Sequence, residues 1–278
     1  MMPAPYHVVE YVRNPIKVSL MATCRLVFFI QPNRASYLII SPKEEIIHCK
    51  EFRNTEVVSQ SVFLRFILEK EPILSSTFLD SRVYISEVPF TLIPDVFWRD
   101  DYQVPLSRLL LQDVFDKSEV TSTSVPSLPG RLLFPLPSMT LNFLNQYIPH
   151  HTLTHVSALL LSISDRLSKE YDHLILTLIL EKQLLIAAIV EGELKICNRF
   201  PFQTHNDAAY FIQTVKNVTG VLDKDLPHFV LGEIEAKSDT EQSLWDFFPH
   251  MQFPEFMRPI IHNENESVPW WRFAFLNP

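Results

Sequence analysis

Residues 174–202, LILTLILEKQLLIAAIVEGELKICNRFPF, decide the fold. Two apolar runs, Leu174–Leu180 and residues 184–190, flank the polar triplet Glu181-Lys182-Gln183. Short apolar runs closed by a polar turn read as buried strands joined in a hairpin. Glu191-Gly192-Glu193 makes a second turn, and residues 194–202 a third strand. Thr204 is then placed to cap a helix, with Asp207 three residues on in the capping-box position. Ala208, Phe211, Ile212, Val215 and Val218 mark one face of that helix, and Gly220 ends it. A short buried strand at 229–231 runs into Gly232, and 241–248 reads as another helix. The order is βββαβα.

Working outward, the same plan occurs earlier in the chain. Setting Cys197 on Cys49, an offset of 148 positions, also sets Phe200 on Phe52 and Phe211-Ile212 on Phe63-Leu64. Val215 then falls on Ile67, Leu231 on Val83 and Trp245 on Phe97, without a gap. Apolar matches are cheap in a chain that is 47% hydrophobic, so the rarer Cys and Phe coincidences carry the argument. Residues 24–98 and 172–246 are read as two copies of one α/β unit. The early register stays open, because 17–23 could be the first strand in place of 26–31.

The connecting region has another character. Residues 116–130, DKSEVTSTSVPSLPG, are rich in Ser, Thr and Pro and read as a surface loop. A strand over 131–137 follows, then a helix from Ser138 to Tyr147. A helix over 156–167 presents Leu159, Leu160, Ile163 and Leu167. The expected division is an N-terminal subdomain over 1–155, including the 116–130 loop, and a C-terminal subdomain over 156–278 with an aromatic tail at 269–276.

Composition removes several function classes. The net charge of −8 gives no attractive field for phosphate backbones, so nucleic acid is not an expected partner. No apolar run reaches the ~20 residues of a membrane helix; the longest candidate, 173–190, is broken by Glu181-Lys182-Gln183. Leu20-Met21-Ala22-Thr23 before Cys24 has the outline of a lipoprotein signal, but the apolar stretch is too short and polar for export. Three cysteines without a CxxC pair suit a reduced, cytoplasmic chain. His151 and His155 stand four apart, but Pro149, Thr152 and Thr154 favour extended chain, where they would be ~13 Å apart and no zinc pair. No metal site is expected.

Tandem βββαβα units, each a ribonuclease H-like core, are the plan of actin-like ATPases. Phe90-Thr91-Leu92-Ile93-Pro94-Asp95-Val96-Phe97 is similar to the "TLVP…F" segment of an uncharacterised family of bacterial proteins with an actin-like ATPase fold. The stretch from Asn198 through Thr204 and Asp207 to Tyr210, NRFPFQTHNDAAY, is similar to its more specific "N-x-F-x-[YF]-x-T-x-x-D-x-x-Y" segment. His155 before an apolar helix and the single Gly232 after a strand also fit, so the resemblance spans about residues 16–250. It implies the actin-like ATPase fold, two units facing across a cleft, and a distant likeness in fold to the pilus-assembly protein PilM. It supplies no mechanism, since the family's function is not established.

The resemblance also sets a chemical test. In ATPases of this fold the first hairpin turn of each unit cradles phosphates with backbone N–H groups, which calls for glycine. An Asp on the first strand positions Mg²⁺. Here the second unit offers Glu181-Lys182-Gln183, and the first offers Pro32-Asn33-Arg34 or Thr23-Cys24-Arg25. None contains glycine, and no Asp lies in 17–23, 26–30 or 174–180. The chain has four glycines where average usage would give roughly 19.

The expectation is therefore a non-catalytic scaffold or interaction module without a cofactor. The alternative is a degenerate nucleotide binder or weak ATPase, with Gly232, at the place of the fold's adenosine-binding turn, as its candidate contact. Asn198, Thr204 and Asp207 are candidates for capping or for lining the cleft. Trp270, Trp271, Phe273 and Phe275 are candidates for binding a protein partner or a second copy, because clustered aromatics are costly to leave in water.

Overall fold

The computed structural model describes residues 6–13, 18–56, 58–86, 88–111, 118–125, 128–220, 226–234, 239–252 and 254. They form two compact units. One comprises the described residues within Met1–Ser124 and Gly130–Val156, the other those within Val125–Pro129 and Ser157–Arg258.

The first unit starts with β1 (Tyr6–Arg13), followed by the antiparallel strands β2 (Arg25–Ile30), β3 (Arg34–Ile40) and β4 (Ile46–Asn54). Helix α1 (Gln60–Lys70) returns the chain to β5 (Asp80–Ile85), which lies parallel to β2. Strand β6 (Thr91–Pro94), helix α2 (Gln103–Leu111), β7 (Ser118–Ser124) and β8 (Gly130–Pro137) then intervene. Helix α3 (Ser138–Tyr147) and β9 (Thr152–His155), parallel to β5, complete the unit. The main sheet runs β1-β4-β3-β2-β5-β9, and β6-β8-β7 form a small separate sheet.

The second unit opens with α4 (Ser157–Ser168) and the meander β10 (Leu174–Leu180), β11 (Gln183–Val190) and β12 (Glu193–Pro201). Helix α5 (His205–Thr219), β13 (His228–Gly232), α6 (Asp239–Phe247) and β14 (Met251–Gln252) follow. Its sheet order, β12-β11-β10-β13-β14, matches β4-β3-β2-β5-β9 strand for strand. Every residue of β10 is buried, so apolar side chains point to both faces. Ile175, Ile179 and Ile186 pack with Ala208, Ile212 and Val215 of α5 and Leu244 of α6. Helix α4, with Leu159, Leu160, Ile163 and Leu167 buried, packs against β10 and β11 as well.

Several expectations are corrected by pairing that local sequence does not reveal. Residues 18–23 form a 3-10 helix, so β2 is the first strand of the repeat, and β1 joins its outer edge beside β4. The offset of 148 places β3, β4, α1 and β5 on β11, β12, α5 and β13 but fails at Phe97, which lies exposed in a 3-10 turn. The true counterpart of α6 is α3, which packs on α1 as α6 packs on α5. Within the expected loop 116–130, Ser118–Ser124 is a strand. Its Val and Thr residues suit an extended backbone, and β8 pairs with it along its whole length. Ser138 is the first residue of α3 rather than its cap, a position held by Pro137. On α5, Ala209 is buried in place of Val218, which is exposed.

Candidate functional site

The two hairpin turns that would cradle phosphates are built without glycine. In the first unit Ile30 pairs with Ala35, and Gln31 N donates to Arg34 O at 2.8 Å, leaving Pro32-Asn33 as the turn. Pro32 has no N–H to offer an anion. The turn's other end is pinned, because Asn54 N donates to Asn33 O at 2.8 Å. The neighbouring cation is engaged too. Arg34 lies 3.9 Å from Glu51, a buried carboxylate that also accepts from Arg53 Nε at 2.6 Å. In the second unit Leu180 pairs with Gln183, so the turn is Glu181-Lys182. Phe202 N donates to Lys182 O at 3.1 Å, the counterpart of the Asn54 bond.

Gly232 ends β13 with φ of +95°, a conformation that side chains disfavour. A Cβ there would also overlap the carbonyl oxygen of Ile179 and approach Leu178 Cδ1 to 2.8 Å. Glu233 N donates to that same carbonyl at 2.7 Å. The close approach of β13 to β10 therefore accounts for the glycine.

The other candidates divide cleanly. Thr204 is the N-cap of α5, its Oγ1 accepting from Asp207 N at 3.3 Å. Asp207 Oδ2 returns the contact by accepting from Thr204 N at 2.9 Å and Gln203 N at 3.0 Å. Those backbone donors hold its carboxyl below the ordinary range. Asn198 is exposed on β12, where Oδ1 accepts from Arg199 N at 2.8 Å. The structure thus joins Thr204 to Asp207 in a cap and leaves Asn198 apart from them. Trp270, Trp271, Phe273 and Phe275 lie outside the described residues. His155 stands in extended β9 and packs on Phe90 at 4.6 Å and Phe134 at 5.9 Å between ring centroids. Among the described residues no group of three or more His, Cys, Asp or Glu is disposed to hold a metal ion. None of their helices is long and apolar enough to cross a membrane.

Two buried polar groupings went unread in the sequence. In the first unit Tyr37, wholly buried, donates to Glu71 Oε2 at 2.9 Å and meets His48 Nε2 at 2.9 Å. Lys50 Nζ binds the two Glu71 oxygens at 3.0 and 3.1 Å. Burial, reinforced by Glu71, pushes the Tyr37 hydroxyl pKa well upward, so it serves as a fixed donor. In the second unit Thr177 Oγ1 lies 3.0 Å from His228 Nε2 across the β10–β13 pair. Burial first, and the Lys216 charge second, lower the His228 pKa to about 3. The signal for the second grouping was Thr177, the one polar residue in the apolar strand β10; the first had none, since Glu71 follows α1 and His48 and Lys50 stand in the largely polar β4.

This architecture and its two hairpin turns define a protein with an actin-like ATPase fold. A Bacteroides thetaiotaomicron protein with actin-like ATPase fold and unknown function superimposes with a TM-score of 0.75 at 16% identity, over 87% of this chain and 94% of that one. The PilM–PilN type IV pilus biogenesis complex gives a TM-score of 0.57 at 9% identity, over 91% of this chain and 96% of that one. At these identities the likeness is one of fold alone. Residues 14–251 match the family described as "Protein of unknown function (DUF3822)", and the chain belongs to that family. No curated protein matches it in sequence.

Proposed function

We propose that this protein is a non-catalytic, cytoplasmic scaffold or interaction module built on the actin-like ATPase fold. The observation that carries the reading is the pair of turns Pro32-Asn33 and Glu181-Lys182, neither with the glycine that close backbone approach to phosphate requires. Strands β2 and β10 also contain no aspartate to position Mg²⁺. The Gly232 position is filled by the approach of Ile179, which leaves that glycine without a ligand to explain it. The residues present do not fit Mg-ATP held in the manner of the fold's ATPases.

Surface chemistry supports a protein partner. Around β6 and α2 the first unit exposes Val96, Phe97, Val104, Leu109 and Leu110, apolar area that a solitary soluble protein gains by covering. PilM, a protein of the same fold, is named in a complex with PilN. The deciding measurement is thermal unfolding with and without millimolar Mg-ATP or Mg-ADP. Ligand at 100 times Kd stabilises by ~2.7 kcal/mol. An unmoved melting curve is expected, and a clear rise would replace this reading with that of a degenerate nucleotide binder. Pull-down from the native cell, with and without residues 270–276, tests the partner. Retention of nothing by either form would remove the interaction reading.

A further inference from the structure

The second unit carries an apolar pocket at the end of its sheet away from Glu181-Lys182. It lies at the start of β13, the strand end opposite Gly232, and has a volume of about 380 Å³. That falls in the ~300–1,000 Å³ range of sites that receive a compact group. Phe247 and Pro249 line it and are exposed, while Leu226, Phe248 and Met251 line it and are buried. The Phe247 and Phe248 rings are neighbours, with centroids 6.4 Å apart. Phe247 is 61% exposed, a large area of aromatic surface left facing water at the mouth of an apolar hollow.

The chain itself brings a group that fits. Met251 lines the pocket, the described residues end at Pro254, and Trp270 and Trp271 follow 16 and 17 positions after it. Sixteen residues can span up to ~50 Å, so the tether is long enough to return an indole to the place where it starts. A segment tethered at that length meets a site on its own unit at an effective concentration on the order of millimolar. A second copy would have to reach the same site at the protein's own concentration, which is lower. An indole is a broad apolar ring with a single N–H donor, and it packs on Phe and Pro surfaces while that donor stays near polar groups. Gln213 of α5 also lines the pocket and is exposed, so the mouth is polar on that side.

We propose that this pocket is the docking site of the chain's own aromatic segment, residues 270–275, with an indole of Trp270-Trp271 seated against Phe247 and Pro249. Docking covers the exposed Phe247 ring and the indole together. It is read in the isolated chain, so its failure leaves the nucleotide and partner readings where they stand.

Trypsin cleavage of the full chain gives the test. Beyond Pro254 the sequence offers two basic residues: Arg258, which precedes Pro259 and resists trypsin, and Arg272 inside the segment. Cleavage after Arg272 therefore reports how often the segment is undocked. Each rate is divided by that of the free peptide of residues 266–278 carrying the same changes. Phe247→Glu should speed the cleavage roughly tenfold, as expected when the open population rises by that factor. The fold is kept, because Phe247 is largely exposed. Trp270→Ala combined with Trp271→Ala should give a similar acceleration, and joining these changes to Phe247→Glu should add nothing further. The rate in the unaltered chain should not change on dilution. Equal rates in the unaltered chain and in Phe247→Glu, or accelerations that multiply when the changes are joined, overturn the proposal. Protection that is lost on dilution overturns it in favour of a second copy.

Discussion

The Cα of Gly232 sits against the carbonyl oxygen of Ile179, so closely that a Cβ would overlap it, while the next amide, Glu233 N, donates to that oxygen at 2.7 Å. The backbone at the end of β13 is thereby locked to β10. Gly232→Ala must adopt a left-handed φ and push two strands apart, and it should cost at least ~2 kcal/mol. Denaturant unfolding monitored by circular dichroism reads this directly. A change below half that size would mean that the strand ends are not in contact.

The capping box at α5 makes a smaller and pH-dependent claim. Thr204→Ala should destabilise by ~1 kcal/mol. Asp207→Asn should destabilise at neutral pH and lose its effect in acid. The Asp207 carboxyl is lowered by the Thr204 and Gln203 amides, so its contribution is present above the ordinary Asp pKa of 3.8 and disappears as pH falls through the lower folded value. Stability curves of the two proteins should converge toward low pH.

His228 gives an acid sensitivity in a different window. Its pKa is about 3 folded, against an ordinary 6.5. Between those values the unfolded chain takes up a proton that the folded chain refuses, so stability falls as pH drops from 6.5 toward 3. Above 6.5 the residue contributes no slope. His228→Gln should flatten the pH dependence in that interval by up to ~1.4 kcal/mol per pH unit, the value for one proton. Urea titrations at several pH values would show parallel curves for the two proteins if the histidine were not buried.

The Tyr37–Glu71–Lys50 grouping separates two kinds of loss. Tyr37→Phe keeps the ring stacked on His48, with centroids 5.3 Å apart, and removes a single hydroxyl; the expected cost is ~1 kcal/mol. Lys50→Met takes both ammonium contacts from a carboxylate that is 16% exposed, and should cost more, roughly 2–3 kcal/mol. Equilibrium unfolding of both variants checks the order. The reverse order would show that solvent, rather than Lys50, neutralises Glu71.

Much of the fold was legible because its signals are local. The runs around Glu181-Lys182 and the Thr204–Asp207 spacing specify strands and a capped helix from a few adjacent residues. Gly220 ends α5 with φ of +71°, as its place in the sequence implied. The absence of glycine from both hairpin turns is likewise a property of adjacent residues and is plain in the linear sequence. Thr204 and Asp207 form the cap that their spacing implied. Less legible were Asn198, an exposed strand residue, and Gly232, a point of close strand contact.

The sequence alone determined the repeated βββαβ core, since alternation, turn chemistry and capping are properties of neighbouring residues. Tertiary structure alone decided the rest. Residues 118–124 are Ser- and Thr-rich and became a strand only because β8 supplied its hydrogen bonds. Helix α3 took the place of α6's counterpart only after the β6-β8-β7 insertion had been bridged. Thr177 and His228 are 51 positions apart and meet because β13 pairs with β10 in a fixed parallel register. Strand partners and buried polar contacts come from distant parts of the chain, and local sequence carries their residue types without their distances.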